Sequence, residues 1–358
     1  VTAQIVVQLL QMDIVPRFVE WSKQGEVGRR KLNQVTRWLT IVLAFVQSIG
    51  ITAGFNQLSQ VNLVKTPNTE TYLLIGFILT AGTMLSVWLG EMITERGLGQ
   101  GVSMLIFAGI IARLPAGIYQ LFKEHILQGD DPARGWAFFV GIMIIFLVVI
   151  AFVTWFNQAI RKVPMQYTRR SVGSGSSSYL PLRINIAGVI PVIFASSLLV
   201  TPQTILQAFA SKFADAGWYN TVMQYLSIQT MQGGIVYTLL IVLFTFFYAF
   251  VQVNPEKVQE NLQKQGSYIV GVWPGPSTEK WMSGLLMRLS VVGALFLGFV
   301  ALAPILATHV FGLDSNLAMS GTSILIVIGV AIDLIRQLEG LMMKRQYVGF
   351  IREGVVAK

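Results

Sequence analysis

Long apolar stretches alternate with short polar ones along almost the whole chain. A helix of about 20 residues crosses a hydrocarbon core about 30 Å thick, and eight stretches have that length and character. The predicted spans are residues 37–58, 71–93, 102–122, 136–160, 186–206, 233–252, 284–306 and 321–343. Residues 1–11 resemble half of such a span, and a charged loop is predicted from Met12 to Thr36. The pattern predicts an all-α polytopic membrane protein.

The span at 186–206 is a poor generic anchor because breakers and hydroxyls interrupt it. In lipid, such backbone defects persist only where neighbouring protein or water satisfies the freed polar groups. Val189, Ile193 and Ser197 share one helical face, which we expect to line something other than lipid. An ordinary proline-kinked helix packed in a bundle remains the alternative. The interrupting residues are Pro191, Ser196, Ser197, Thr201 and Pro202.

Composition supports the membrane assignment and excludes several kinds of site. The chain of 358 residues is 54% hydrophobic and only 12% charged, and its mean hydropathy is +0.63. It has no cysteine, which excludes disulfides, thiolate metal sites and cysteine nucleophiles. The two histidines, His125 and His309, stand far apart in loop-like sequence, so a histidine metal site is not expected. We therefore expect neither a metal nor another cofactor.

The positive charge is concentrated in alternate loops. Most of the 26 lysines and arginines fall in the first, third, fifth and seventh loops and in the tail. Loops rich in Lys and Arg stay on the cytoplasmic side, so these loops and the tail are predicted to be cytoplasmic. The net charge of +9 is thus a cytoplasmic surface and not the footprint of a nucleic acid.

Two of these cytoplasmic loops, residues 161–185 and 254–283, are large. The first has basic arms around a Gly/Ser-rich tip, which predicts flexibility. In the second, Asn254 is a predicted N-cap for a short helix that Gly266 can end, and Pro274-Gly275-Pro276 turns the chain back. These loops either dock a large cytoplasmic partner or only fix the topology.

Catalytic patterns are absent from the sequence. The glycine-rich stretch 90–101 follows no strand and lacks the Gly-Lys-Ser/Thr of a phosphate loop, so it predicts a tight turn. Gly-x-Ser-x-Gly and His-Glu-x-x-His do not occur, which disfavours an intramembrane hydrolase. Asp333 and Glu339 are predicted to pair with Arg336 between them. An ion-coupled secondary transporter would need a midplane ionic site, which the predicted spans do not supply.

Branched apolar residues recur beside glycines in three of the spans. Val102 and Ile106 lie near Gly101, Ile193 follows Gly188, and Ile326 lies between two further glycines. Several such helices together would form a narrow apolar constriction that excludes ions by dewetting. Ordinary core packing would give the same pattern.

Several motifs together resemble the SecY family, the pore subunits of the bacterial Sec protein-conducting channel. The resemblance is collinear over essentially the whole chain. The motifs are QLLQ at 8–11, KQGEVGRRK at 23–31, WLGE at 88–91, ITERG at 93–97, IFAG at 106–109, AGVIP at 187–191, IFASS at 193–197 and GTS at 321–323.

The resemblance implies two pseudo-symmetric helix bundles in a clamshell around a central pore. The N-terminal half would be residues 1–122, the C-terminal half 136–345 and the cytoplasmic tail 346–358. Because the family has ten spans, we expect this chain to lack the first span, the plug after it and part of the second span. The implied function is translocation of unfolded secretory polypeptides and lateral release of hydrophobic segments into lipid, without enzymatic activity of the subunit itself.

The resemblance also assigns residues to three functional regions. The implied pore ring is Val1, Val102, Ile106, Ile193 and Ile326. The implied lateral gate opens between residues 1–11 and 37–58 on one side and 186–206 and 233–252 on the other, with polar groups at Thr2, Gln8, Gln47, Ser197 and Thr201. The implied docking residues are Arg161, Lys162, Arg169, Arg170, Lys257, Lys264 and Trp273.

The resemblance further implies the partners and the location. Expected partners are the small membrane subunits SecE and SecG, the SecA motor ATPase, the ribosome, signal sequences and unfolded polypeptides. The expected location is the bacterial cell membrane, with the lipid bilayer around the subunit and the C-terminal tail in the cytoplasm. Relatives usually have arginine in the Arg-Pro-Gly turn of the second docking loop, whereas this chain has Trp273-Pro-Gly.

Overall fold

The computed structural model describes residues 2–11, 15–58, 64, 68–127, 132–167, 178–208, 213, 216–311 and 323–342. Most of these residues are helical, as the sequence predicts. The helices are α1 (Thr2–Leu10), α2 (Pro16–Lys23), α3 (Glu26–Leu58), α4 (Thr69–Arg96), α5 (Gly101–Phe122), which continues as a π-helical turn at Lys123–Leu127, α6 (Pro132–Gln158), α7 (Ile190–Ala208), α8 (Gly217–Leu226), α9 (Met231–Gln252), α10 (Pro255–Lys264), α11 (Pro276–Phe311) and α12 (323–342).

Seven helical segments of the described chain are long and apolar enough to cross a membrane. They coincide with the predicted spans from 37–58 to 284–306. The remaining predicted span, 321–343, contains α12, a helix that carries Asp333, Arg336 and Glu339. The multispan character is confirmed, and the count of eight full spans stays a prediction.

The segment predicted as a charged loop between Met12 and Thr36 is largely helical. It contains α2 and the beginning of α3, a continuous helix of 33 residues. Gly25, at φ 68°, separates the two helices, and Glu26 gives the N-terminus of α3 a favourable charge. A Cβ added to Gly28 would stand 1.8 Å from the Trp21 carbonyl oxygen, so the glycine permits the two helices to pack closely.

The two large loops that are predicted to be cytoplasmic are joined in one three-stranded antiparallel sheet, which the sequence analysis did not predict. Its strands are β1 (Ile160–Tyr167), β2 (Ser178–Arg183) and β3 (Ser267–Ile269), in the order β2-β1-β3. Met165 of β1 faces Ser178 on one side and Ile269 on the other. The arms of the first loop are therefore ordered strands, because both edges of β1 find a partner.

A small apolar core lies between this sheet and helices α10 and α11. We call the sheet, α10, the first turns of α11 and this core the cytoplasmic module, after the side of the membrane predicted for its loops. Its fully buried members are Val163, Leu182, Leu262, Ile269, Met282 and Leu286.

The predicted cap of the short helix is confirmed. The Asn254 side chain accepts hydrogen bonds from the backbone N–H groups of Glu256 and Lys257 at 3.0 and 3.3 Å, and Pro255 occupies the first helical position. Gly266 follows the helix at φ 62°. This capped helix holds one side of the module.

By its contacts the chain forms two compact units. One contains Val1–Leu105 and Ile193–Tyr237, and the other contains Ile106–Val192 and Thr238–Lys358. The division into halves at 1–122 and 136–345 is a different partition and stays a prediction.

Candidate functional site

Helix α7 begins later than the sequence predicts. It starts at Ile190, so residues 186–189 are not part of it and Val189 precedes the helix. Pro191 lies in the first turn of α7. Backbone N–H groups in a first turn have no acceptor within the helix, so the missing N–H of proline removes no helical hydrogen bond. The expectation that Pro191 interrupts this helix is therefore wrong. Pro202 does lie inside α7 and removes one internal hydrogen bond.

One hydroxyl on α7 meets two other helices. Thr201 Oγ1 accepts a hydrogen bond from Gln47 Nε2 of α3 at 2.9 Å and lies 3.4 Å from Thr2 Oγ1 of α1. The Thr201 hydroxyl donates its single proton to the Ser197 carbonyl at 2.7 Å, so Thr2 must be the donor toward Thr201. We call Thr2, Gln47 and Thr201 the polar seam.

The structure thus brings together three of the predicted lateral-gate side chains and places the other two differently. Ser197 takes part through its backbone carbonyl. Gln8 does not join the seam, and its Oε1 is buried without a hydrogen-bond partner in the described chain. A buried acceptor left unpaired costs free energy, so Gln8 is a weak point of α1.

Apolar side chains surround the seam. Ala3, Ile5 and Val7 of α1 are almost fully buried, and so is Leu199 on α7. Toward the far end of α3, a Cβ added to Gly54 would lie 3.1 Å from Gln207 Cβ. The seam is an uncharged polar contact at the junction of three helices.

An ion pair links α3 to α4 at Arg37, about a third of the way along α3. Arg37 donates two hydrogen bonds to the Glu91 carboxylate on α4, at 2.9 and 2.5 Å.

The predicted tight turn after α4 is confirmed, with Gly99 at φ 80°. The Gly101 N–H donates to Thr94 Oγ1 at 2.8 Å, and a Cβ on Gly101 would meet the Gly90 carbonyl.

The predicted pore-ring residues belong to both compact units. Val102 and Ile193 lie in the first unit, and Ile106 and Ile326 lie in the second; Val1 lies outside the described residues. Ile193 is only 8% exposed. A Cβ added to Gly90 would lie 3.4 Å from Val102 Cγ2, so Val102 packs closely on α4. The ring stays a prediction.

The predicted docking residues that the structure describes lie on the surface of the cytoplasmic module. Trp273, just before α11, is 83% exposed. The Lys162 ammonium lies 4.9 Å from the centre of the Tyr179 ring, and Lys264 pairs with Glu260 on α10. Arg161 and Lys257 are also exposed, whereas Arg169 and Arg170 lie outside the described residues.

A polar network that the sequence analysis missed connects the module to α7. The Asn185 amide, which follows β2, donates to Asn157 Oδ1 at 2.9 Å and to the Gly188 carbonyl at 3.2 Å. Arg336 of α12 donates to the Asn157 carbonyl at 3.3 Å. The sequence did contain a signal for this network: Asn185 lies inside an apolar run, and Asn157 lies near the end of a predicted span.

The pairing predicted along α12 is only part of the picture: Arg336 interacts electrostatically with Asp333 and Glu339, and Asp333 and Arg336 also have partners outside the helix. Asp333 pairs with Arg183 at 2.9 Å, and the described hydrogen bond of Arg336 goes to the backbone of α6. The i, i+3 spacing put opposite charges near each other, but β2 and the end of α6 offered both groups better geometry. Sequence spacing therefore missed contacts supplied by the tertiary structure.

Comparison with known proteins identifies the family. A model of the SecY family matches residues 1–335. Protein translocase subunit SecY 1 of Lactobacillus kefiranofaciens is 61% identical over 354 residues, which cover 98% of this chain and 82% of that protein. Protein translocase subunit SecY of Lactococcus lactis strain IL1403 is 55% identical over 354 residues, covering 98% of this chain and 81% of that protein.

Solved structures show the same fold at low sequence identity. One is the structure of a SecY protein in which a plug domain is described as stabilising the closed state of the translocation channel. It matches with a TM-score of 0.67 and 17% identity, over 94% of this chain and 79% of that one. Another is described as a protein conducting channel, with a TM-score of 0.67 and 19% identity, over 94% and 78%.

These findings favour a protein-conducting channel over the ion-coupled transporter that the sequence left as an alternative. The motif resemblance, the family match over most of the chain and the shared fold agree. The chain belongs to the SecY family.

Proposed function

We propose that this chain forms the pore of a bacterial protein translocase and conducts unfolded secretory polypeptides across the cell membrane. Its relatives are named as translocase subunits. We further propose that α7 parts from α1 and α3 to release hydrophobic segments sideways into lipid. The observation that carries this second step is the polar seam, where one Thr201 oxygen accepts from two other helices.

The energetics of the seam suit a gate. Interhelical polar contacts in membranes contribute only about 0.6 kcal/mol on average, because unpaired groups find other partners in the opened state. A seam with two such contacts stays closed at rest, and the apolar helix of a signal sequence can compete with it. Pro202, one residue after Thr201, offers a point where α7 can bend.

A disulfide across the seam tests the gate. We expect Thr2→Cys with Thr201→Cys to oxidise readily, since the parent hydroxyls are 3.4 Å apart and the chain has no cysteine of its own. Oxidation should block export in cells that depend on this chain, and reduction should restore it. Each single-cysteine variant is the control. Normal export by the locked protein would exclude the gate while leaving the pore untouched.

We propose that Val102, Ile106, Ile193 and Ile326 form an aliphatic constriction around the moving polypeptide. Apolar side chains of this size exclude ions by dewetting a narrow pore. Ile106→Gly combined with Ile193→Gly should raise ion leakage through the reconstituted translocase. The control is Val300→Gly combined with Val330→Gly, which changes two other buried branched residues of predicted spans. This control should not raise ion leakage. Equal ion currents through the two double variants would mean that the four proposed ring residues only pack the core and do not form a constriction.

We propose that the cytoplasmic module docks the SecA motor or the ribosome. In support of this, it presents exposed basic side chains and a Trp273 ring that is 83% exposed. Buried aromatic residues dominate binding hot spots, whereas peripheral charges contribute little. Trp273→Ala should therefore weaken motor binding more than Lys257→Ala. Equal small losses would mean that docking occurs elsewhere.

We also propose SecE and SecG as membrane partners and a cytoplasmic C-terminal tail. The concentration of basic residues in alternate loops supports this orientation. A single cysteine at Ser277 should resist a membrane-impermeant reagent in intact cells, and one at Asn68 should react. The reverse labelling would overturn the topology. Copurification of two small membrane proteins would support the partners.

A further inference from the structure

The short helix α8, between α7 and α9, has three distinct faces. At 3.6 residues per turn, Tyr219, Met223 and Leu226 fall on one face, and these side chains are buried or half-buried. The next face is apolar and exposed, and the third is polar and exposed. The exposed apolar residues are Trp218, Val222 and Tyr225, and the polar residues are Asn220, Thr221 and Gln224.

The exposed apolar face is aromatic and uncharged. Trp218 is 52% exposed, Tyr225 49% and Val222 36%. No residue of α8 is ionisable as an acid or a base at neutral pH. Leaving two large aromatic rings and a valine in water is unfavourable, so some apolar environment is expected to cover this face.

The buried face fixes α8 to the end of α7. Tyr219 is 6% exposed, and its hydroxyl donates to the Leu206 carbonyl at 3.5 Å. On the exposed apolar face, the ring of Trp218 contacts Phe213, with the ring centroids 5.5 Å apart. The exposed face therefore has a defined position relative to the span that precedes it.

We propose that α8 lies in the membrane–water interface, with Trp218, Val222 and Tyr225 in the boundary between acyl chains and headgroups. The cytoplasmic module precedes α7 through β2 and follows α9 through α10, so α8 connects the opposite ends of these two spans. With the module on the cytoplasmic side, as proposed above, this connection places the helix at the outer leaflet.

Three features favour lipid over a protein partner as the occupant of this face. Trp and Tyr are the side chains enriched where a bilayer meets water. The polar face adjoins the exposed apolar face, as in helices that lie along an interface. The flanking spans also expose apolar side chains, with Val200 of α7 and Ile235 of α9 exposed at 43% and 54%. This inference is independent of the proposed gate.

Site-directed spin labelling tests the proposal directly, because the chain has no cysteine of its own. Val222→Cys and the matched control Gln224→Cys would each carry a nitroxide in the translocase, reconstituted in vesicles of phosphatidylcholine and phosphatidylglycerol. Collisions with oxygen report lipid, and collisions with a nickel chelate report water. We expect the oxygen-to-nickel ratio to be several-fold higher at position 222 than at position 224.

Two results would overturn the proposal. Equal ratios at the two positions would mean that α8 stands in water. Low collision rates with both reagents at position 222 would mean that protein covers the face, either a small subunit or a second copy. Tyr225→Cys provides a second label on the same face and must agree with position 222, so the outcome does not rest on one variant.

Discussion

The polar seam and the cytoplasmic module are held together in different ways. At the seam, three helices meet around one hydroxyl with two polar contacts from other helices. The module combines a backbone ladder with a closed apolar core. Apolar side chains gain from leaving water but gain little from leaving lipid, so burial stabilises the module far more than it stabilises a junction within the membrane. The weak contacts of the seam suit the proposed gate, whereas the core of the module suits a permanent structure.

The two regions are connected along the chain through α7. Strand β2 leads through Asn185 and Gly188 into Ile190, and the Asn185 amide holds both the end of α6 and the turn before α7. Gly188 has φ 64°, a left-handed conformation that is strained for any residue with a side chain. The module therefore supports one end of α7, while the seam holds a point further along the same helix with much weaker contacts.

The largest effect should come from opening the core of the module. Met282→Ala should lower the free energy of unfolding by about 2–5 kcal/mol, because a fully buried side chain leaves a cavity. Met287→Ala is the matched control on the same helix, since Met287 is 48% exposed. Thermal unfolding in detergent measures both. Equal losses would mean that the module is no more tightly packed than a lipid-facing surface.

Asn185→Ala should have the next largest effect. It leaves Asn157 Oδ1 and the Gly188 carbonyl without their donor, and each buried unpaired group costs about 1–3 kcal/mol. Asn157→Ala should be coupled to it, so the double variant should lose less stability than the two single losses added together. Simple additivity would contradict a shared network.

Gly329→Ala should cost about 1 kcal/mol, the low end for overpacking. The added Cβ would lie 2.4 Å from Val189 Cγ1, a methyl group that can shift. Gly340→Ala on the same helix meets nothing within 4 Å and should be neutral or slightly stabilising. Thermal unfolding of the two variants compares them. A harmless Gly329→Ala would show that α12 does not hold the residues before α7.

The smallest effect on stability should come from the seam itself. Thr201→Val keeps the shape and removes the contacts with Thr2 and Gln47, about 0.6 kcal/mol each. Export of substrates with weakened signal sequences should increase, because the closed gate loses its polar contacts. Thr80→Val is the control, since the Thr80 hydroxyl bonds only within its own helix, to the Gly76 carbonyl. Unchanged export would argue that the seam does not set the gate.

The sequence alone determined the features that depend on neighbouring residues. Hydropathy over about 20 residues is enough to predict a span, and Asn254 with Pro255 is enough to predict a capped helix, as the structure confirms. The glycines after α4 likewise predicted the turn. The motif resemblance identified the family, and it proposed the seam residues Thr2, Gln47 and Thr201 before their contacts were known.

The tertiary structure decided what depends on residues far apart in the chain. Strand β1 pairs with β3, so Met165 meets Ile269, and no local periodicity reveals that partner. Asp333 has an oppositely charged residue three positions away on its own helix, yet it pairs with Arg183. A short strand or an exposed charge has several partners of similar energy, and the fold selects among them by bringing one within bonding distance.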